Sequence, residues 1–469
     1  MRMKTIKAAA LGTALTLLLA SCGSTAKPEA PAEEPAAEAP APAEAETPEE
    51  TAEEPAVEAE PTAEAEAEAP AEETEAEAEA EELTEVPAET LASGGKVPEK
   101  GTGVKLIKSS DWAEEYPLEY ESYMKNDENA EIVDYIEENP YIKTLYEGYG
   151  FAIEYGSARG HTYVIEDVTS TGRPHKLANC FTCKTADLTL KVLNEGDSVY
   201  SMAFEDMEAQ ITDAFGCFHC HANEPGVIYI THPYVVNAMG ADIDKVDPVT
   251  LSCAQCHTEY YYDPATKATT VSYQGLEKFS PDDILAYENA LVDSEGNMFA
   301  DWVDEDTGVR KLKVQHPEFE TYMGAGSVHG STMNCADCHM AKRTAEDGTE
   351  YTDHYWMSPL ENQDLLDNTC NKCHGDLAMQ VEAIKKLTRD RENELGLRLE
   401  QLDKDLAKAI ADGTIDGEEL ELCRMASRNA QFYWDFVFVE NSEGCHNTKL
   451  TEDCLNKAEQ YLEEAASYL

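Results

Sequence analysis

The chain has 469 residues, 42% of them hydrophobic, and carries a formal net charge of −59. That excess of acid excludes a nucleic-acid partner, whose phosphates such a surface repels. The length suffices for one or two ordinary domains, and 14 cysteines and 12 histidines hold most of the distinctive chemistry.

Met1-Arg2-Met3-Lys4 and Lys7 precede a short apolar run from Ala8 to Ala20. Charge and length read as a signal peptide, too short for a comfortable membrane span. The run ends Leu19-Ala20-Ser21-Cys22, which resembles a bacterial lipoprotein box. Residues 1–22 are therefore expected to be a lipoprotein signal, with Cys22 the lipidated residue after cleavage. Residues 23–95 follow as an Ala/Glu/Pro/Thr tract, with 24 glutamates between Glu29 and Glu89 and no basic residue among them. Such a composition cannot bury a core and repels itself into an extended tether. The expected location is extracytoplasmic, lipid-anchored at the cell membrane, with residues 96–469 as the folded body.

The body opens with aromatic and acidic sequence to Tyr149, where paired aromatics recur near helical spacing as packing residues. Ala158-Arg159-Gly160-His161 follows, then a turn, Thr171-Gly172-Arg173-Pro174-His175. Next comes Cys180-Phe181-Thr182-Cys183-Lys184, a c-type haem attachment site with lysine in place of histidine. Four ordinary copies follow: Cys217–Cys220–His221, Cys253–Cys256–His257, Cys335–Cys338–His339 and Cys370–Cys373–His374. One helical turn explains the spacing, because residues i, i+3 and i+4 share a face and present two thiols and a ligand to one haem. Zinc would call for paired CxxC units without a histidine always next in sequence. Five haem c groups are expected.

After the third motif, Thr258-Glu259-Tyr260-Tyr261-Tyr262-Asp263 places a carboxylate beside a tyrosine cluster, a pattern shared by a hard-cation site and by a surface acid beside packed aromatics. Ser280-Pro281 has the form of a helix start. Lys313-Val314-Gln315-His316-Pro317-Glu318, His329 and Tyr351-Thr352-Asp353-His354 add histidines around the fourth motif. Long helices are expected from Leu377 to about Ala411, from about Glu418 to Val439, and to Leu469 after Gly444-Cys445-His446. They suit either intramolecular packing or a dimer seam. Four bis-histidine haems need four distal ligands, and His161, His329, His354 and His446 are spaced to provide them. His175, His219, His232 and Cys423 are left without a role, and Cys445 and Cys454 are candidates for a disulfide. The fold class is mainly α, a multihaem cytochrome c fold with little β structure and long C-terminal helices.

These motifs, in this order, resemble the pentahaem, ammonia-forming cytochrome c nitrite reductases. The likeness runs from about Leu145 to His446 and includes the Arg-Gly-His segment, the CxxCK-first order, Gln-His-Pro-Glu, Tyr-Thr-Asp-His and Gln-Phe-Tyr-Trp-Asp. The resemblance implies Lys184 as proximal ligand of a catalytic haem with Arg173, Tyr262 and His316 on its open face, Arg159 being the alternative arginine. It implies His354, His161, His446 and His329 as distal ligands of the second to fifth haems. It also implies calcium held by Glu259 and Gln315, with Tyr260 and Lys313 contributing carbonyls. Nitrite as substrate, a membrane quinol-oxidising multihaem cytochrome or similar electron donor, and a homodimer through the C-terminal helices follow from the same likeness. Two other classes fit the motifs: a pure electron-transfer cytochrome, and a reductase of hydroxylamine or sulfite.

Overall fold

A computed structural model of the protein describes residues 88–101 and 103–469. The lipobox cysteine and the tether up to residue 87 lie outside the described residues. The architecture is mainly helical. Among the described residues, each sheet is a two-stranded antiparallel pair: Ala88–Thr90 with Lys96–Pro98, Tyr260–Tyr262 with Thr269–Val271, Trp302–Val303 with Arg310–Lys311, and Lys342–Thr344 with Glu350–Thr352. No helix among them is long and apolar enough to cross a membrane.

Three C-terminal helices form the frame. The 36-residue helix Leu377–Asp412 begins where the Asp376 side chain accepts from Met379 N–H, and it ends on Gly413 in the left-handed region, φ 67°. Its Leu395, Leu399, Leu402 and Leu406 recur at helical spacing and are buried. They pack with Gly417–Phe438, which buries Phe432, Trp434 and Phe436, and with Thr448–Ala466, which buries Cys454, Leu455 and Leu462. Gly396 is required by packing, since a Cβ there would meet the Tyr141 ring at 2.4 Å. Met379, Leu387 and Leu397 of the long helix remain exposed. The main core extends from these helices to Ile142, Leu145 and Tyr146 and across the 230–319 segment.

Buried ion pairs fix the chain before the fourth motif onto this frame. Lys311 Nζ lies 2.6 Å from Asp403 Oδ2, and Lys313 Nζ lies 3.0 Å from Asp435 Oδ2, while Tyr146 Oη donates to Asp435 at 2.5 Å. Each charge has a partner and further hydrogen bonds, which is what makes its burial tolerable.

Two expectations are corrected. The tether was placed through residue 95, but residues 88–98 form a hairpin closed by Leu91 N–H to Gly95 O (2.9 Å), with Gly94 at φ 89°. Leu91 and Val97 pack against the core, so the Ser-Gly-Gly turn and its flanking apolar residues outweigh the acidic composition beside them. The candidate Cys445–Cys454 disulfide is absent: both thiols are free, and Cys454 is buried between helices.

Candidate active site

Each attachment motif is one tight turn. Cys217–His221 and Cys335–His339 are α-helical. The third and fifth close the same turn at helix ends, His257 N–H to Cys253 O and His374 N–H to Cys370 O, both 2.9 Å. The first differs. It begins inside the 3-10 helix Ala178–Phe181, and Lys184 N–H bonds Phe181 O at 2.9 Å, one residue short of the α pattern.

Every histidine that follows a CxxC faces a second imidazole from a distant part of the chain. Ring centres are 6.3 Å apart for His221 and His354, 6.1 Å for His257 and His161, 6.2 Å for His339 and His446, and 6.1 Å for His374 and His329. A metal held between two imidazole nitrogens by bonds of about 2 Å sets ring centres about 6 Å apart. The other ring nitrogen is anchored in most of them. His221 Nδ1 meets Val227 O (2.8 Å), His339 Nδ1 meets Met357 O (3.0 Å), and His354 Nδ1 meets Thr352 O (2.9 Å). His374 Nδ1 meets Gln380 Oε1 (3.1 Å) and His446 Nδ1 meets Glu440 Oε1 (2.6 Å). An Nδ1 committed this way leaves Nε2 as the free lone pair, the arrangement of metal-ligating histidines. With the flanking cysteine pairs, these residues fit iron porphyrins.

A different set of groups gathers at the lysine-bearing turn. The strand Tyr260–Tyr262 alternates, so Tyr261 turns into the core beside Phe299 and Tyr287, while Tyr260 and Tyr262 share the opposite face, ring centres 5.7 Å apart. Burial and the neighbouring thiols hold both phenols well above their ordinary pKa; Cys180 is among the charges acting on each. The His316 ring stacks 6.5 Å from Tyr260 and lies 6.0 Å from His257. Burial lowers its pKa, Glu318 opposes this, and the charge of Lys184 lowers it further. Glu318 Oε1 is 3.9 Å from His316 Nδ1, and its Oε2 is 3.6 Å from His257 Nδ1. One buried carboxylate thus serves both rings, a link the sequence reading passed over although Glu318 stands inside the Gln-His-Pro-Glu segment.

Arg173 donates Nη2–H to Glu154 O (2.6 Å), and its guanidinium lies 4.0 Å from the centre of the Phe151 ring. Burial lowers its pKa, and Tyr155, Tyr149, Glu154 and Cys180 oppose the shift. Arg159 is spent elsewhere, 2.7 Å from Asp167 and stacked on Tyr163. His161 packs against Phe215 and Trp356, its pKa pushed down to about 3 by burial and then by His257 and Lys184. Tyr149 also enters this neighbourhood, through Arg173 and Gln315, and gave no signal in sequence beyond its aromatic surroundings.

Glu259 is 1% exposed, and its Oε2 accepts from Gln315 N–H at 2.6 Å. Gln315 Nε2 donates to Lys313 O at 3.2 Å, so Glu259, Lys313 and Gln315 are neighbours and Tyr260 is joined through the chain. Burial, and next the facing Glu288, push Glu259 well above the ordinary carboxyl range. Glu288 and Glu320 rise to about 7 and Asp301 to about 6, each chiefly through burial. Glu320 Oε2 accepts from Glu259 N–H at 3.1 Å, and Asp301 Oδ2 from Lys313 N–H at 2.8 Å. The Glu259 carboxylate, the Gln315 amide and the Lys313 carbonyl are oxygen donors of the kind a hard dication takes, with the other buried acids engaged by their own hydrogen bonds nearby.

Motif order, four imidazole pairs and one lysine-bearing turn define a multihaem c-type cytochrome. The cytochrome c552 family model matches residues 108–469. The chain is 32% identical over 399 residues to a cytochrome c-552 of Bacteroides fragilis, covering 78% of this chain and 76% of that protein. It is 28% identical over 411 residues to the cytochrome c nitrite reductase subunit NrfA of Nitratidesulfovibrio vulgaris, covering 76% and 78%. A solved cytochrome c nitrite reductase from Desulfovibrio desulfuricans, described for two calcium sites in its catalytic subunit, superposes with a TM-score of 0.69 at 27% identity, over 78% of this chain and 87% of that one. The chain belongs to the cytochrome c552 family.

Proposed function

We propose that the protein reduces nitrite to ammonium by six electrons at a haem ligated by Lys184, fed by four bis-histidine haems. One observation carries the reading. Each CxxCH histidine faces a second imidazole, whereas the Lys184 turn has no partner imidazole of that kind among the described residues and lies within electrostatic reach of Arg173, Tyr260, Tyr262 and His316. The similar nitrite reductases support the choice of substrate. The five cysteine pairs would hold the haems, which when bound supply electron transfer and, where one axial face is open, a site for a small anion.

The chain's own groups account for the rest. Arg173 is a permanent cation in an otherwise acidic protein; its Nε and Nη2 donate to Glu154 O, which leaves N–H donors on its Nη1 side for an anion's oxygens. Tyr262 stays a neutral phenol and so retains a proton to donate. His316, with its pKa lowered, is mainly neutral at pH 7, and Glu318 beside it favours its protonated form whenever a proton arrives. Positioned proton donors of this kind contribute on the order of 10²–10⁴ each in rate. Glu259 and Gln315, with carbonyls of Tyr260 and Lys313, would hold calcium close behind Tyr260. This reading is supported by the buried carboxylates and by the calcium sites of the Desulfovibrio desulfuricans protein.

The test is product analysis with a reduced dye as donor. Ammonium should account for the nitrite consumed. Faster turnover of hydroxylamine or sulfite would move the substrate, and a spectrum without any high-spin haem would reduce the protein to an electron carrier. A multihaem cytochrome donor and a second copy of this chain are the partners that fit, the latter supported by the exposed Met379, Leu387 and Leu397. The expected anchor is Cys22: Cys22→Ala should release active protein from membranes into the soluble fraction. Continued membrane retention of that variant would place the anchor elsewhere.

A further inference from the structure

His219 and His232 are buried, outside the imidazole pairs, and unused by the function just described. Both belong to a single hydrogen-bonded cluster. Gln255, 0% exposed, is the residue before the second cysteine of the third motif. Its Nε2 donates to the carbonyl of His219, 2.7 Å, which holds the same place in the second motif. Its Oε1 accepts from the backbone N–H groups of Thr231 (2.8 Å) and His232 (3.1 Å). His232 Nε2 then lies 3.0 Å from the carbonyl of Thr182, which holds that place in the first motif. The acceptor on Nε2 fixes the proton there. Tyr234 adds a second link, donating to Gln255 O beside Cys183. In the fourth and fifth motifs the equivalent residues, Asp337 and Lys372, are exposed.

We propose that His232 and Gln255 form a clasp that locks the first three attachment turns to one another, and that His232 is the positioning residue for Lys184 through Thr182 O. The proposal rests on Lys184 being the reaction centre. The Lys184 turn is of the tighter 3-10 type and lies only two residues beyond Thr182. A single N–H donor on Thr182 O therefore constrains where the lysine amine points. Partners that orient a ligand from behind in this way change metal affinity or activity by roughly 10–100-fold when removed.

The experiment compares the intact protein with His232→Phe, which keeps a planar ring and deletes the donor, and His232→Gln, which restores an N–H near the Nε2 position. The readouts are covalent haem per chain, the high-spin spectrum and midpoint potential of the lysine-ligated haem, and kcat for nitrite. His232→Phe should keep all haems, shift the high-spin spectrum and potential, leave the low-spin haems unchanged, and lower kcat by roughly 10–100-fold. His232→Gln should return spectrum and rate to near native. The proposal is overturned if His232→Phe carries every haem with a native high-spin spectrum and potential, or if the two variants are equally impaired. Should His232→Phe not accumulate, the Gln variant decides, a native spectrum supporting the clasp and the same failure overturning it. If the parent protein does not reduce nitrite, the nitrite reading falls, while spectrum and potential still judge the clasp.

Discussion

Lys184→His should retain five covalent haems and lose nearly all nitrite reduction, on the order of 10²-fold or more. The substitution restores an ordinary attachment motif, so haem loading is not in question, as it would be with Lys184→Ala. What changes is the group below the iron. A neutral amine on a flexible stem is compact, whereas an imidazole is planar and its second nitrogen needs a partner. The other motif histidines have theirs, such as Val227 O and Met357 O. The lysine turn is held instead by Lys184 N–H to Phe181 O and by the Thr182 and Thr269 hydroxyls, 2.7 Å apart. An imidazole placed there must move the turn or tilt. Haem content, the high-spin signal and ammonium yield check this together, and native ammonium production by the variant would make the lysine incidental.

Calcium removal should destabilise the protein far more at pH 8 than at pH 5. Without a cation, burial holds Glu288 and Glu320 at about 7 and Asp301 at about 6, and holds Glu259 well above the ordinary range. These folded-state values exceed the unfolded values of about 4. The folded state then binds more protons, so this contribution to stability is complete below about pH 4 and is lost as pH rises through 6 to 7. A bound dication compensates the ionised carboxylates in the folded state and removes that loss. Thermal unfolding with and without a chelator should differ little at pH 5 and by on the order of 5 °C at pH 8. Metal analysis should find about one calcium for this cluster. Equal shifts at both pH values would argue against Glu259 as a ligand, and in Glu259→Gln the chelator should cause no further shift.

The chemistry of the site was more legible in the sequence than its geometry. CxxCH and CxxCK are local signals, because one turn of chain delivers all three groups to one point, and the helices expected over 377–411 and 418–439 from their long charged pattern and Gly413 run over Leu377–Asp412 and Gly417–Phe438. The choice among Tyr260, Tyr261 and Tyr262 was not legible from composition. Once the segment is known to be a strand, period-two alternation removes Tyr261 and leaves two phenols on the site face. Arg173 was preferred to Arg159 only for standing just before the CxxCK turn, and it is the Asp167 and Glu166 pairs and the Tyr163 ring that commit Arg159 elsewhere. The buried acids Glu288, Asp301 and Glu320 carry no distinguishing signal in sequence, since what makes them unusual is enclosure by distant chain. His219 and His232 had no role for the same reason: the partners of a buried polar residue are set by tertiary structure.

The four imidazole contacts also overlap along the chain. The span from His161 to His257 shares residues with that from His221 to His354, which shares residues with that from His329 to His374, which in turn overlaps that from His339 to His446. Were iron held between the rings and haem bonded to the cysteines, each contact would be a cross-link closing a long loop. Interlaced loops would leave no seam between residues 161 and 446 at which one half could open while the other stays folded. The lifetime of the body would then depend on how long these residues hold iron, a kinetic quantity, rather than on core packing alone.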